Sequence, residues 1–129
     1  MARLSNIANQ DKQVQGLADS QMADTKAGIV YMWGTTGVAY NVDMIKERLG
    51  ADAPTDSWSL ILDPSNAVKL ADCGIAILDA PTDVLPNVIA YQGGAGDTTD
   101  TKLFEKAGEV LNSVRPHSVS YTHLTLPTT

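Results

Sequence analysis

Residues 73–79, CGIAILD, constrain the fold more than any other stretch of the chain. The apolar run behind Gly74 is too short for a helix and fits a buried strand closed by a carboxylate, Asp79. The residues that follow, APTDVLPNVIAYQG, change period. Val84, Leu85, Val88 and Ile89 share one helical face, which ends near Gly93. A strand feeding directly into an amphipathic helix is the building unit of α/β folds, and the chain is read as α/β.

The flanking sequence agrees. Gly28 opens an extended apolar run over residues 29–33, the Gly34 to Gly37 step (GTTG) bends it, and VAYN resumes as strand. Val42, Ile45 and Leu49 then fall at helical spacing, with Asn41 as N-cap and Gly50 at the C-terminal end. ADAPTDSW is a turn-rich linker, Pro64 ends the SLIL run, and Ser65 is placed to cap a short helix over residues 66–72. GGAGDTTDT reads as a flexible loop. Leu103, Phe104, Ala107, Val110, Leu111 and Val114 form the stripe of a last helix, stopped by Pro116. Before residue 28, Ile7, Val14, Leu17 and Met22 are too sparse for more than one short helix among loops. There is no internal repeat.

Several function classes are disfavoured. Nine Lys and Arg against fifteen Asp and Glu leave a formal charge of −6, which disfavours nucleic acid and permits cationic ligands. No apolar run is long enough to span a bilayer, and ARLSNIANQDKQVQ lacks the charged-then-apolar order of an export signal. The lone Cys73 excludes an internal disulfide and argues against a cysteine zinc cluster; it reads as a buried structural thiol. GTTG and GGAG lack the endings of phosphate-binding loops. With His117 and His123 the only histidines, no catalytic constellation or metal-ligand spacing assembles, so neither an enzyme nor a cofactor is expected.

The segment 119–129 differs from everything before it: it holds no Asp, Glu, Lys or Arg, and it has no helical period. One back-translation of residues 119–128 looks like a transposase-end sequencing adapter. Residues 119–129 are therefore expected to be non-native, and the reading frame to have run off the end of a DNA fragment, leaving a truncated chain. His123 accordingly carries no functional weight.

Two carboxylates remain, Asp79 and Asp83, at the carboxyl edge of the strand, where ligands of open α/β sheets gather. Pro86 is expected in the first turn of the helix, because it has no N–H to give, and this puts Asp83 at or beside the N-cap. There it could simply cap the helix, a role worth about 1 kcal/mol, or it could meet a positively charged ligand. Local chemistry leaves both open.

Three stretches in order, YMWGTTGVAYNVDMIKERLG, APTDSWSLILDP and CGIAILDAPTDVLPNVIAYQG, resemble the middle section of the periplasmic polyamine-binding proteins, the putrescine- and spermidine-capturing subunits of ABC importers. The resemblance runs from about residue 31 to 116 and covers a minority of a family member. It implies a fragment of a two-lobed, type II periplasmic binding protein fold: residues 1–62 part of the first lobe and crossover, 63–118 part of the second. It also implies a polyamine ligand, ABC permease partners and a periplasmic location. By position it makes Asp83, where glutamate is expected in close relatives, the ligand for an amine. Asp79 becomes a supporting or water-bridged acid, and Trp33 packs under the cleft. The rival readings are a binding protein of the same fold for another cation or small solute, and a small α/β enzyme or regulatory domain.

Overall fold

The computed structural model describes residues 5–22 and 28–122. Two compact units divide at Thr35 and Thr36.

In the first unit, a 3-10 turn, Ser5–Asn9, precedes α1, Lys12–Gln21. Asp11 caps α1 by accepting from the N–H groups of Gln13 and Val14. Gln15 is the tie within this unit. Its amide donates to Asp19 and to the Gly28 carbonyl, and its oxygen accepts from the Val30 N–H at 3.0 Å. The strand expected over residues 29–33 does not form. A strand exists only by pairing; here the segment has no ladder among the described residues, and Tyr31 and Trp33 stand 90% and 71% exposed. The expected VAYN strand is likewise irregular.

The second unit holds α2 (Val42–Leu49), α3 (Ser59–Leu62), α4 (Pro64–Leu70), a 3-10 turn (Ala71–Cys73), β1 (Ile75–Leu78), α5 (Pro81–Tyr91), α6 (Thr101–Val114), a second 3-10 turn (Arg115–His117) and β2 (Ser118–Thr122). α2 forms as its sequence dictates. The Asn41 side chain accepts from the N–H groups of Asp43 and Met44, and Gly50 closes the helix at φ 86°, where a Cβ would be strained. Asp63, not Ser65, caps α4: its carboxylate accepts from both the N–H and the hydroxyl of Ser65, and Pro64 occupies the first helical position. The run at residues 60–62 lies in a short helix, and Leu60 and Leu62, about 200° apart around its axis, enter two different apolar clusters. Cys73 is half-buried and free.

β1 and β2 pair in parallel, with Ile75 opposite Ser118 and a register shift before Ala76. Parallel neighbours need a crossover, and α5 and α6 supply it. Ser118–Thr122 includes residues expected to be non-native; backbone pairing does not report on their origin, and residues 123–129, with His123, lie outside the described residues.

Two apolar clusters hold the unit together. Ile75 and Ile77, on one face of β1, pack with Ile45, Leu60, Ala67, Leu70 and Val114. Leu62, Val88, Ile89 and Ala107 form the other, between α3, α5 and α6. Leu60 and Leu62 thus join residues on both sides of position 62. The α6 stripe buries Ala107 and Val114 and leaves Phe104 at its exposed margin. The loop after α5 is packed rather than loose: Gly94 lies against Ile89 and Leu103, and Gly96 against Pro86.

Candidate functional site

β1 ends at Leu78, Asp79 occupies a bend, and α5 begins at Pro81. The helix therefore starts earlier than Pro86 suggests. Pro81, not Pro86, takes the first helical position, for which its fixed φ and missing N–H suit it. Pro86 lies inside α5, where it denies the Thr82 carbonyl its usual partner. Nearby, the Asn87 side-chain amide donates to the Asp83 carbonyl at 2.6 Å.

Asp83 is consequently not the cap. Ala80 is, and its methyl group can accept nothing. The Asp83 N–H donates to the Ala80 carbonyl at 2.9 Å, the Val84 N–H to the same oxygen at 3.0 Å. The Asp83 carboxylate sits at the third helical position, exposed to solvent, with no hydrogen bond or ion pair among the described residues. Asp79 is also exposed, but it is not a free group. The two acids flank one strand-to-helix turn. The bland alternative for Asp83, in which its oxygens tie down its own helix end as Asp11, Asn41, Asp63 and Asp100 do theirs, is not what the structure contains.

What an exposed carboxylate at this point can do is limited and definite. It can accept charge-assisted hydrogen bonds from a cation at the carboxyl edge of the sheet. No group of three or more His, Cys, Asp and Glu among the described residues could hold a metal ion. The other features play different parts. Arg48 Nη1 donates to both Asp72 oxygens, at 2.8 and 2.7 Å, tying α2 to the turn before β1. An open cavity of about 330 Å³ in the first unit is lined by Asn6, Asn9, Gln10, Asp11, Tyr31 and Trp33 among others, and by neither Asp79 nor Asp83. Trp33 is not packed away, contrary to expectation, since it lines that open cavity. Sequence reasoning overlooked Pro81. The signal was present, since a proline two residues beyond a strand-ending aspartate is the ordinary mark of a helix start.

Comparison with known proteins decides the relationship. The chain is 38% identical over 122 residues to the putrescine-binding periplasmic protein SpuD of Pseudomonas aeruginosa (strain UCBPP-PA14), covering 95% of this chain and 33% of the relative. It is 40% identical over 125 residues to the putrescine-binding periplasmic protein PotF of Escherichia coli (strain K12), with the same coverage. This chain is a relative of the periplasmic putrescine-binding proteins. A putrescine/agmatine-binding protein of Pseudomonas aeruginosa (strain PAO1) is 36% identical over 115 residues, 89% of this chain and 31% of that relative. The chain spans about a third of the length of these putrescine-binding relatives. No protein-family model matches it. No helix among the described residues is long and apolar enough to cross a membrane.

Proposed function

We propose that the chain is a section of the solute-binding subunit of a polyamine importer, and that Asp83 binds an ammonium group of a putrescine-like ligand. The unpartnered Asp83 carboxylate carries this reading. A side chain that neither caps its helix nor pairs with a neighbour among the described residues is available to a ligand, and its charge favours a cationic one. The net charge of −6 is in keeping with that sign. Asp79 supports the site across the turn, through water or through the backbone. The subunit acts by binding and lobe closure, without chemistry, in the periplasm, and hands its ligand to ABC permease subunits.

In this reading the protein has the two-lobed type II binding-protein fold. Residues 1–62 contribute to the first lobe and crossover, residues 63–118 to the second, and 119–129 are adapter-derived. A linear diammonium ligand has a charge at each end and methylenes between, so it needs a second anchor and aromatic walls. One exposed carboxylate supplies a single end, and the 129-residue chain alone does not bind the ligand measurably. Aspartate reaches about one methylene less far than glutamate, which favours ligands that approach the helix end closely. A related solute such as agmatine, named for one of the relatives, is the second reading.

Calorimetric titration of the full-length protein carrying this section tests the proposal. Replacing Asp83 with alanine raises the Kd for putrescine by roughly ten- to a hundredfold, the worth of a hydrogen bond to a charged group. An unchanged Kd refutes the role of Asp83. Tight putrescine binding by the 129-residue chain alone refutes the claim that it holds only one end.

A further inference from the structure

The first turn of α5 sets the sign of charge that its end attracts. A helix N-terminus ordinarily presents several N–H groups without internal partners, and it therefore favours anions. α5 departs from this pattern in three ways. Its cap, Ala80, has no polar side chain. Pro81, at the first helical position, has no N–H. The Asp83 N–H is turned back onto the Ala80 carbonyl at 2.9 Å. Of the first three helical residues, only Thr82 keeps an N–H that this carbonyl does not take. An anion arriving here would find few donors and the exposed Asp83 carboxylate in its path. A cation would find that carboxylate with less of the positive helix end opposing it.

We infer that Pro81 is a specificity-determining residue of the Asp83 site, selecting cationic ligands by withholding an N–H from the helix end. The inference rests on the proposed reading of Asp83 as an ammonium ligand, towards which the named ligands of the relatives point independently of the helix geometry. It assigns a role to a residue that carries no charge of its own. The ligand class is a linear alkyl diammonium ion, one of whose ends meets Asp83. Proline is common at the first helical position for its preset φ alone. A purely conformational role would act without regard to charge, and salt separates the two: an electrostatic contribution at an exposed helix end is screened, a conformational one is not.

The test is calorimetric titration of putrescine into the full-length protein carrying this section, as parent, Pro81→Ala and Asp83→Asn, at low ionic strength and in about 1 M salt. Pro81→Ala raises the Kd by up to about twofold over the parent at low ionic strength, because one N–H supplies part of the charge at a helix end, and the ratio falls towards one in high salt. Pro81→Ser restores the same N–H and repeats the test should the alanine variant not fold. A Kd equal to the parent's, or a loss that salt leaves unaltered, overturns the role of Pro81. An Asp83→Asn variant that binds as the parent does overturns the site itself and this inference with it. Weakened binding in Asp83→Asn beside a neutral Pro81→Ala overturns the inference alone.

Discussion

Alanine at position 94 adds a methyl group where the structure has no room for one. An ideal Cβ on Gly94 would lie 2.8 Å from Ile89 Cγ2, 3.3 Å from the Ile89 carbonyl oxygen and 3.3 Å from Leu103 Cδ1. Ile89 is 0% exposed, packed with Val88 and Ala107 between α5 and α6, so its methyl group cannot swing aside as a surface chain end would. Overpacking of this kind costs about 1–3 kcal/mol. Removing a glycine from the unfolded chain offsets about 0.4–1 kcal/mol. Taking the middle of each range, the net loss is about 1.3 kcal/mol. At roughly 3–5 °C per kcal/mol for a chain of this size, Tm falls by about 4–7 °C. Gly108, in α6, provides the opposite case. Nothing lies within 4 Å of its added Cβ, so Gly108→Ala stabilises by about 0.4–1 kcal/mol. Urea and thermal denaturation of the two variants beside the parent, followed by circular dichroism, measure both signs. A Gly94→Ala protein as stable as the parent would refute the packing of this loop onto the helix that carries Asp83.

Two further expectations concern stability. Leu60→Ala removes a side chain that is 1% exposed in the cluster beneath β1, and it costs about 2–5 kcal/mol. Val68→Ala, at 54% exposure, changes stability by less than about 0.5 kcal/mol, and denaturant midpoints compare the two. The hydrogen bonds from the Ser65 hydroxyl and N–H hold the Asp63 carboxyl below its ordinary pKa in the folded chain. The folded state thus favours the ionised form, and this contribution is fully present above the unfolded pKa of about 3.9. It disappears as pH falls through the lower folded value. The Tm gap between the parent and Asp63→Ala should therefore be constant near neutrality and close in acid, and a gap that persists at the lowest pH would contradict this account of the cap.

Legibility from sequence followed the range of the interactions. Asn41 and Gly50 bracket α2 as expected, because a cap and its N–H partners lie within one turn of each other. The stripes of α5 and α6 and the strand at Ile75–Leu78 were legible for the same reason: periodicity is local. Errors arose where two local signals competed. Pro81 and Pro86 both suit a first turn, and the helix uses the earlier one. Asp63 and Ser65 are both capping residues, and only the geometry shows the first holding the second.

The sequence by itself determined the alternation of strand and helix around residues 73–91, the sign of the net charge and the kinship with putrescine-binding proteins, which the comparisons bear out. All of these depend on residue identity and order. Only the tertiary structure decided that residues 29–33 form no strand ladder among the described residues, that Gly94 is clamped against Ile89, and that Asp83 sits at the third position of α5, without a partner among the described residues, rather than capping it. Pairing, close packing and the freedom of a side chain are set by which distant atoms arrive beside it, and no short window of sequence contains those atoms.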